Sequence, residues 1–226
     1  WRAGRTLPLV NGDYTVVVRA RGYYDRQAQV RVVNGLASLN LIMVPYAEPG
    51  GMRIVLSWAA RPYDCDLWVA NGLPPVGDVN FAVFWGQPNN PPSIDASLDG
   101  VQLDRDSQLG WGPETVTVRN TTAPTTLRVG VNVYGDGGAA SNARCFTQPE
   151  QYDYTGCHFA GGELVEFFDT YGLVASSSYV GSQGDWWVVG LVEKLPDGSF
   201  SVGVSGAGVA QQSASCTNIV NPCPDI

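Results

Sequence analysis

Residues 28–44 read Ala28-Gln29-Val30-Arg31-Val32-Val33-Asn34-Gly35-Leu36-Ala37-Ser38-Leu39-Asn40-Leu41-Ile42-Met43-Val44. Apolar residues recur with a period of two on both sides of Asn34-Gly35, the pattern of half-buried strands whose successive side chains point to opposite faces. Asn-Gly between two such runs signals a hairpin, because a type I′ turn needs positive φ at both central residues. The stretch therefore predicts strands at 28–33 and 37–44. Upstream, Tyr14-Thr15-Val16-Val17-Val18-Arg19-Ala20 alternates in the same way and predicts a third strand. Downstream, residues 45–51 (PYAEPGG) read as a linker. They divide the chain into a module at residues 1–47 and a larger one at 48–226.

Strand-like runs continue past the linker at 52–57, 66–70, 80–85, 115–119, 127–134, 163–168, 186–192 and 199–204. Each is short, rich in Val, Trp, Phe or Tyr, and bounded by Gly, Pro, Asn or Asp. Strands at this spacing predict a β-sandwich. The fold class is all-β, with two β-sandwich modules: an incomplete first one and a larger, jelly-roll-like second one. Helical character is expected only as single turns near 107–110 or 141–146. Residues 205–226 read as a tail or an edge-covering arm.

Composition narrows the partners. The 226 residues carry 13 basic and 21 acidic groups, a net charge of −8. No global positive field exists to hold phosphate backbones or anionic membranes, so nucleic acid is not an expected partner. With 44% hydrophobic and 15% charged residues the chain is too apolar for disorder. No apolar run reaches the ~18 residues of a spanning helix, so membrane insertion is not expected. No signal peptide is visible, and the chain opens on Trp1-Arg2 without Met, which reads as a mature or excerpted segment.

The five cysteines form no C-x-x-C pair. Cys145 and Cys157 flank an 11-residue polar loop, and Cys216 and Cys223 bracket a Pro-containing tail. Both spacings suit loop-closing disulfides of undetermined connectivity; the alternative is five free thiols in a reducing cytosol. Cys65 is then left over, as a small buried hydrophobe. One N-x-[ST] sequon, Asn120-Thr121-Thr122, offers a glycosylation site. Together these features lean toward an extracellular or cell-surface protein.

Catalysis finds little support. Nucleophilic catalysis needs a nucleophile, a base and an orienting group. The one histidine, His158, adjoins Cys157 in a polar loop, and neighbours on an extended chain point to opposite sides. The expectation is therefore no enzyme. One constellation stands out. Asp64 and Asp66 lie two apart, as do Asp104 and Asp106, and Glu114 follows in Gly-Pro-Glu. Residues two apart on a strand share a face. Four or five carboxylates from adjacent segments suit a structural Ca²⁺, a hard ion that takes six to eight oxygens. The alternative is that these residues cap turns or pair with Arg61 or Arg105. Among the aromatics, Trp186-Trp187 puts one ring inward and one outward, and Trp85, Trp111 and Tyr134 offer a platform for stacking on glycans.

Two resemblances sharpen the expectation. Gly12-Asp13-Tyr14-Thr15-Val16-Val17-Val18-Arg19-Ala20-Arg21-Gly22-Tyr23, with the Val-rich hairpin that ends in Pro45, resembles the last three strands of the carboxypeptidase-regulatory-like (transthyretin-like) sandwich. That family is structural or adhesive, with no catalytic residues of its own. Met52-Arg53-Ile54-Val55-Leu56-Ser57-Trp58 and Pro62-Tyr63-Asp64-Cys65-Asp66-Leu67-Trp68-Val69 look like the opening of the bacterial YfaP-type domain. The likeness continues at Leu103-Asp104-Arg105-Asp106, at Gly110-Trp111-Gly112-Pro113-Glu114-Thr115-Val116-Thr117-Val118, at Arg128-Val129-Gly130-Val131-Asn132-Val133-Tyr134 and at Asp185-Trp186-Trp187-Val188-Val189-Gly190. It implies a secreted or surface sandwich without an established enzymatic role. The chain departs from that pattern at 88–93, in the Cys145–Cys157 loop, and in Trp68 where relatives often have His.

A transthyretin-like sandwich needs about seven strands, and three are present. Either chain before Trp1 or packing on the second module completes it, or another copy supplies the missing strands. Copies joined head to tail propagate into filaments. The expected function is a non-enzymatic, self-assembling fibre or surface-filament subunit whose partners are copies of itself. The alternative is a carbohydrate-binding or adhesive module of a larger surface protein.

Overall fold

The computed structural model describes residues 9–59, 62, 64–71, 82–83, 100–105, 107, 111–119, 126–135, 161–180, 186–205 and 210–211. Their regular secondary structure is all β. The strands are β1 (Gly12–Val18), β2 (Arg26–Val32), β3 (Met52–Ser57), β4 (Asp64–Asn71), β5 (Ala82–Val83), β6 (Val101–Arg105) and β7 (Glu114–Val118), followed by β8 (Thr126–Gly135), β9 (Leu164–Asp169), β10 (Gly172–Ser178), β11 (Trp186–Lys194), β12 (Phe200–Val204) and β13 (Ala210–Gln211). No helix among the described residues is long and apolar enough to cross a membrane. The chain divides into two compact units, Trp1–Tyr46 and Ala47–Ile226.

In the first unit β1 and β2 form a two-stranded antiparallel sheet, with Tyr14 opposite Val30 and Val16 opposite Ala28. Alternation puts Tyr14, Val16, Val18, Ala28, Val30 and Val32 on one face. Of these only Val32 is fully buried; the others are half-buried. Asp13, Thr15, Gln29 and Arg31 make the opposite face polar and exposed. Asn34 and Gly35 take φ of 52° and 73°, and Val33 and Leu36 exchange backbone hydrogen bonds of 2.9 and 3.0 Å. The Asn-Gly turn thus forms as its sequence predicts. The strand expected after it does not. Past Leu36, residues 37–44 run without a ladder partner, and order resumes where the Val44 carbonyl accepts from the Tyr24 amide at 2.9 Å. Ala37, Ser38 and Asn40 are poor strand formers, and a lone hairpin without a facing sheet is too weak to recruit such a segment.

The second unit is a two-sheet sandwich. One sheet runs β10-β9-β3-β7-β6 and the other β12-β11-β8-β4-β5, with β13 also on β11. Every pairing is antiparallel. The chain changes sheets between β3 and β4, β5 and β6, β7 and β8, β8 and β9, and β10 and β11. Met52, Ile54 and Leu56 of β3 pack with Val165 and Phe167 of β9 from one side. Leu67 and Val69 of β4, Val129 and Val131 of β8, and Trp187 and Val189 of β11 face them from the other. Burying each such side chain contributes about 1.5–3 kcal/mol before the cost of ordering the chain.

Bulges re-aim side chains without breaking this core. In β11 the register with β8 skips Val189, so Trp187 and Val189 face inward before the skip and Val192 after it. In β10 the register with β9 skips Val174. That skip, together with the run Ser176-Ser177-Ser178, leaves β10 without an apolar alternation of its own.

Candidate metal centre

The ladder registers gather one group of carboxylates at one end of the sandwich. Leu56 lies opposite Glu114 at the start of β7, and Ser57 opposite Leu164 at the start of β9. In the other sheet Asp64, at the start of β4, lies opposite Gly135, at the end of β8. The start of β4, the start of β7 and the residue before β9, Glu163, therefore share that end.

Local sequence sets each side chain. Along β4 the core takes Cys65, Leu67 and Val69, so Asp64 and Asp66 alternate with them and share the opposite side. Glu114, the first residue of β7, reaches from the end of the sandwich to the backbone of β4, where it meets the Leu67 amide. The turn before β7 is built against Trp58. The Trp111 amide donates to the Ala59 carbonyl at 2.8 Å, and Trp111 takes a φ of 62°. Gly112 takes a φ of 35°, and a Cβ there would sit 2.9 Å from the Trp58 ring. Only glycine permits this approach, which delivers Glu114 to the sandwich end.

Asp64, Asp66 and Glu114 each place a carboxylate oxygen within 4.8 Å of the others'. All three are buried, at 9%, 3% and 0% exposure. Glu114 is fixed by backbone donors: the Leu67 amide donates to Oε2 at 2.7 Å and the Ser107 amide to Oε1 at 3.3 Å. β5 pairs only Val69 and Ala70 of β4, so the Leu67 amide lies past its end and is capped by Glu114 instead. Glu163 is also fully buried, and its backbone carbonyl accepts from the Tyr179 amide at 2.8 Å. Gly161 and Gly162, at φ of 88° and 89°, lead the chain into it. The charges of these residues are felt at Cys65. Burial pushes its thiol up, and Glu163, Glu114, Asp66 and Asp64 push it the same way.

Buried carboxylates this close repel unless protons or a cation compensate them. A donor set made only of oxygens, with no imidazole, fits a hard cation such as Ca²⁺ or Mg²⁺ rather than zinc. The group can therefore hold a metal ion.

Asp64, Asp66 and Glu114 are thus brought together. Asp104 is placed elsewhere: β6 bulges at this residue, and its carboxylate accepts from Arg53 Nη1 at 3.2 Å and from the Thr117 hydroxyl. Asp106, Cys145, Cys157, Cys216, Cys223, Asn120 and His158 lie outside the described residues. Cys65 is a free, fully buried cysteine, as a small hydrophobe is expected to be. Glu163 escapes a reading based on spacing, because it is far from the paired aspartates in sequence. The Gly161-Gly162 pair before it was its only local mark. Of the expected glycan platform, the Trp111 side chain is described and is 57% exposed.

No protein-family model matches the chain, and no curated protein matches it. Two solved structures are similar at low identity. One is a protein of unknown function, SAV2460, at 16% identity and a TM-score of 0.48, over 75% of this chain and 95% of that one. The other is a homologue of the telluride resistance protein TerD, SCO6318 from Streptomyces coelicolor A3(2), at 14% identity and a TM-score of 0.47, over 72% of this chain and 92% of that one. A likeness this distant carries no functional conclusion.

Proposed function

We propose that this chain is a non-enzymatic extracellular subunit that assembles with copies of itself into a filament, completing its first unit across the contact between copies. The observation that carries the reading is the first unit itself. It offers one two-stranded sheet, an apolar face that is only half covered, and an extended apolar segment, residues 37–44, without a ladder partner. Strand addition supplies backbone hydrogen bonds and side-chain burial in one step. A contact that joins different patches of two copies repeats without closing and yields a filament.

In the same reading Ca²⁺ occupies the centre formed by Asp64, Asp66 and Glu114, with Glu163 beside it, and rigidifies the larger unit. Exposures of 0–9% hold these carboxylates away from any substrate, which favours a structural ion over a catalytic one. The test is electron microscopy of the native material, paired with light scattering across a wide concentration range. Regular filaments are expected. A monodisperse monomer at every concentration would sink the proposal. The exposed Trp111 ring supports a second reading, a glycan-binding face. Loss of glycan-array binding on Trp111→Ala would establish it, and an array with no binding would remove it.

A further inference from the structure

The acidic balance of the chain conceals a division of charge. The first unit, Trp1–Tyr46, holds six arginines against two aspartates, a net charge of +4. The second, Ala47–Ile226, holds 19 acidic groups against seven basic ones, a net charge of −12. A dication in the acidic centre would still leave −10 there. Both aspartates of the first unit already meet arginines of the same unit: Asp25 meets Arg19 at 2.7 Å, and Asp13 meets Arg31 at 3.7 Å. Arg19, Arg21 and Arg31 are all exposed. The second unit exposes acidic groups in turn, among them Glu48, Glu193 and Asp197.

The smaller unit also holds a disproportionate share of exposed apolar surface. More than half of the exposed large hydrophobic side chains among the described residues belong to it, with Val10, Val33 and Leu36 the most open. Exposed apolar surface on a unit of one net charge suits a partner of the opposite sign.

We infer that the basic first unit of one copy docks on the acidic second unit of the next, so that the partner is a second copy and the contact is head to tail. This rests on the self-assembly reading above and adds polarity to it. Two first units facing each other would set +4 against +4, and two second units −12 against −12. A symmetric contact through like units is therefore repelled, and the attractive pairing joins unlike units. Unlike patches generate an open, polar filament rather than a closed dimer.

Such a contact is steered by charge and weakened by salt, since the screening length falls from about 14 Å at ~0.05 M to about 4 Å at ~0.5 M ionic strength. The full-length chain is followed by light scattering as it assembles at NaCl concentrations across that range. The initial rate is expected to drop about tenfold or more, in the range of electrostatically steered association. R21E/R31E brings the first unit to zero net charge and is expected to slow low-salt assembly to a similar degree. R21K/R31K keeps the charge and the wild-type rate. Circular dichroism and thermal melting of each variant confirm that the second unit is folded. If R21E/R31E assembles as fast as wild type with the same salt response, the charge pairing is wrong while self-assembly stands. A filament map with like units in contact overturns it in the same way. Wild-type protein that assembles at no salt concentration overturns both readings.

Discussion

Asp66→Asn tests the acidic centre at its most economical point. The substitution preserves the shape of the side chain and removes one of three buried charges whose oxygens lie within 4.8 Å of one another. In the wild type, Ca²⁺ that binds the folded state stabilises it by RT ln(1 + [Ca²⁺]/Kd). Extracellular calcium modules have dissociation constants of about 10⁻⁴–10⁻³ M, so ~10 mM Ca²⁺ gives an occupancy ratio of about 10–100. That corresponds to about 1.4–2.7 kcal/mol. For a unit of this size each kcal/mol moves the melting temperature by about 2–4 °C, so a rise of about 3–10 °C is expected. Differential scanning fluorimetry on the buried tryptophans reads it directly, in EDTA and in ~10 mM CaCl₂. Asp66→Asn loses a charged ligand, so its calcium-dependent rise falls to about 2 °C or less. It loses little stability in EDTA, because one source of buried like-charge repulsion has gone. An equal rise in wild type and variant would refute the assignment of the ion to this centre. No rise in wild type would refute the calcium site altogether.

Other outcomes follow from the packing. Gly190→Ala puts a Cβ against the Gly203 carbonyl oxygen, in the β11–β12 ladder. It is expected to cost about 1–3 kcal/mol, read as a lower urea midpoint. Phe167→Ala empties a fully buried site of the core and is expected to cost about 3–5 kcal/mol by the same assay. The Cys65 thiol, raised by burial and then by its carboxylate neighbours, stays unlabelled by iodoacetamide at pH 8 in the native protein and reacts on unfolding. Peptide mass spectrometry distinguishes it from the other four cysteines, and fast native labelling would contradict the packing of β4. Hydrogen bonds from the Ser199 side chain and then its backbone hold the Asp197 carboxyl below its usual value of 3.8. A depressed carboxyl stabilises the fold above its unfolded pKa, and that contribution is lost as pH falls through the folded value. Ser199→Ala therefore moves the Asp197 midpoint upward in an NMR titration, and an unmoved midpoint would show that the turn does not hold it.

The sandwich of the second unit was legible because its strands are short runs rich in Val, Trp, Phe or Tyr between Gly, Pro, Asn or Asp. In β3, Met52, Ile54 and Leu56 share the core face, and Val55 between them is buried as well. β10 was not legible, because the skip at Val174 and the serines after it leave no such run. Residues 37–44 failed in the opposite direction. Their period is clear, yet a strand needs a partner, and the pattern records only the face that would be buried. At the centre, the two-residue spacing of Asp64 and Asp66 placed both on one side of β4, and the Gly-Pro-Glu turn brought in Glu114. Spacing gave Asp104 and Asp106 the same standing. It could not register the bulge in β6 that turns Asp104 toward Arg53 and Thr117. Glu163 comes near Cys65, where its charge is felt, through long-range packing that no local pattern encodes.

The two units differ in what they leave uncompensated. The second buries a continuous core from both its sheets, and its unresolved tension is electrostatic: a buried acidic group and a surplus of negative charge. The first has almost no core, with Tyr24, Val32 and Val44 its fully covered side chains of any size, and its surplus is positive. A two-stranded sheet gains stability chiefly by covering its apolar face, at about 25 cal/mol for each Å² removed from water. What covers that face must also accept the positive net charge of the unit. In the proposed assembly the second unit of another copy would meet both demands at once, and each contact would leave an open first unit at one end and an unused second unit at the other. Chain growth then needs no nucleating partner of a different kind, and its rate depends on protein concentration and on salt, the two variables that the assembly assay controls.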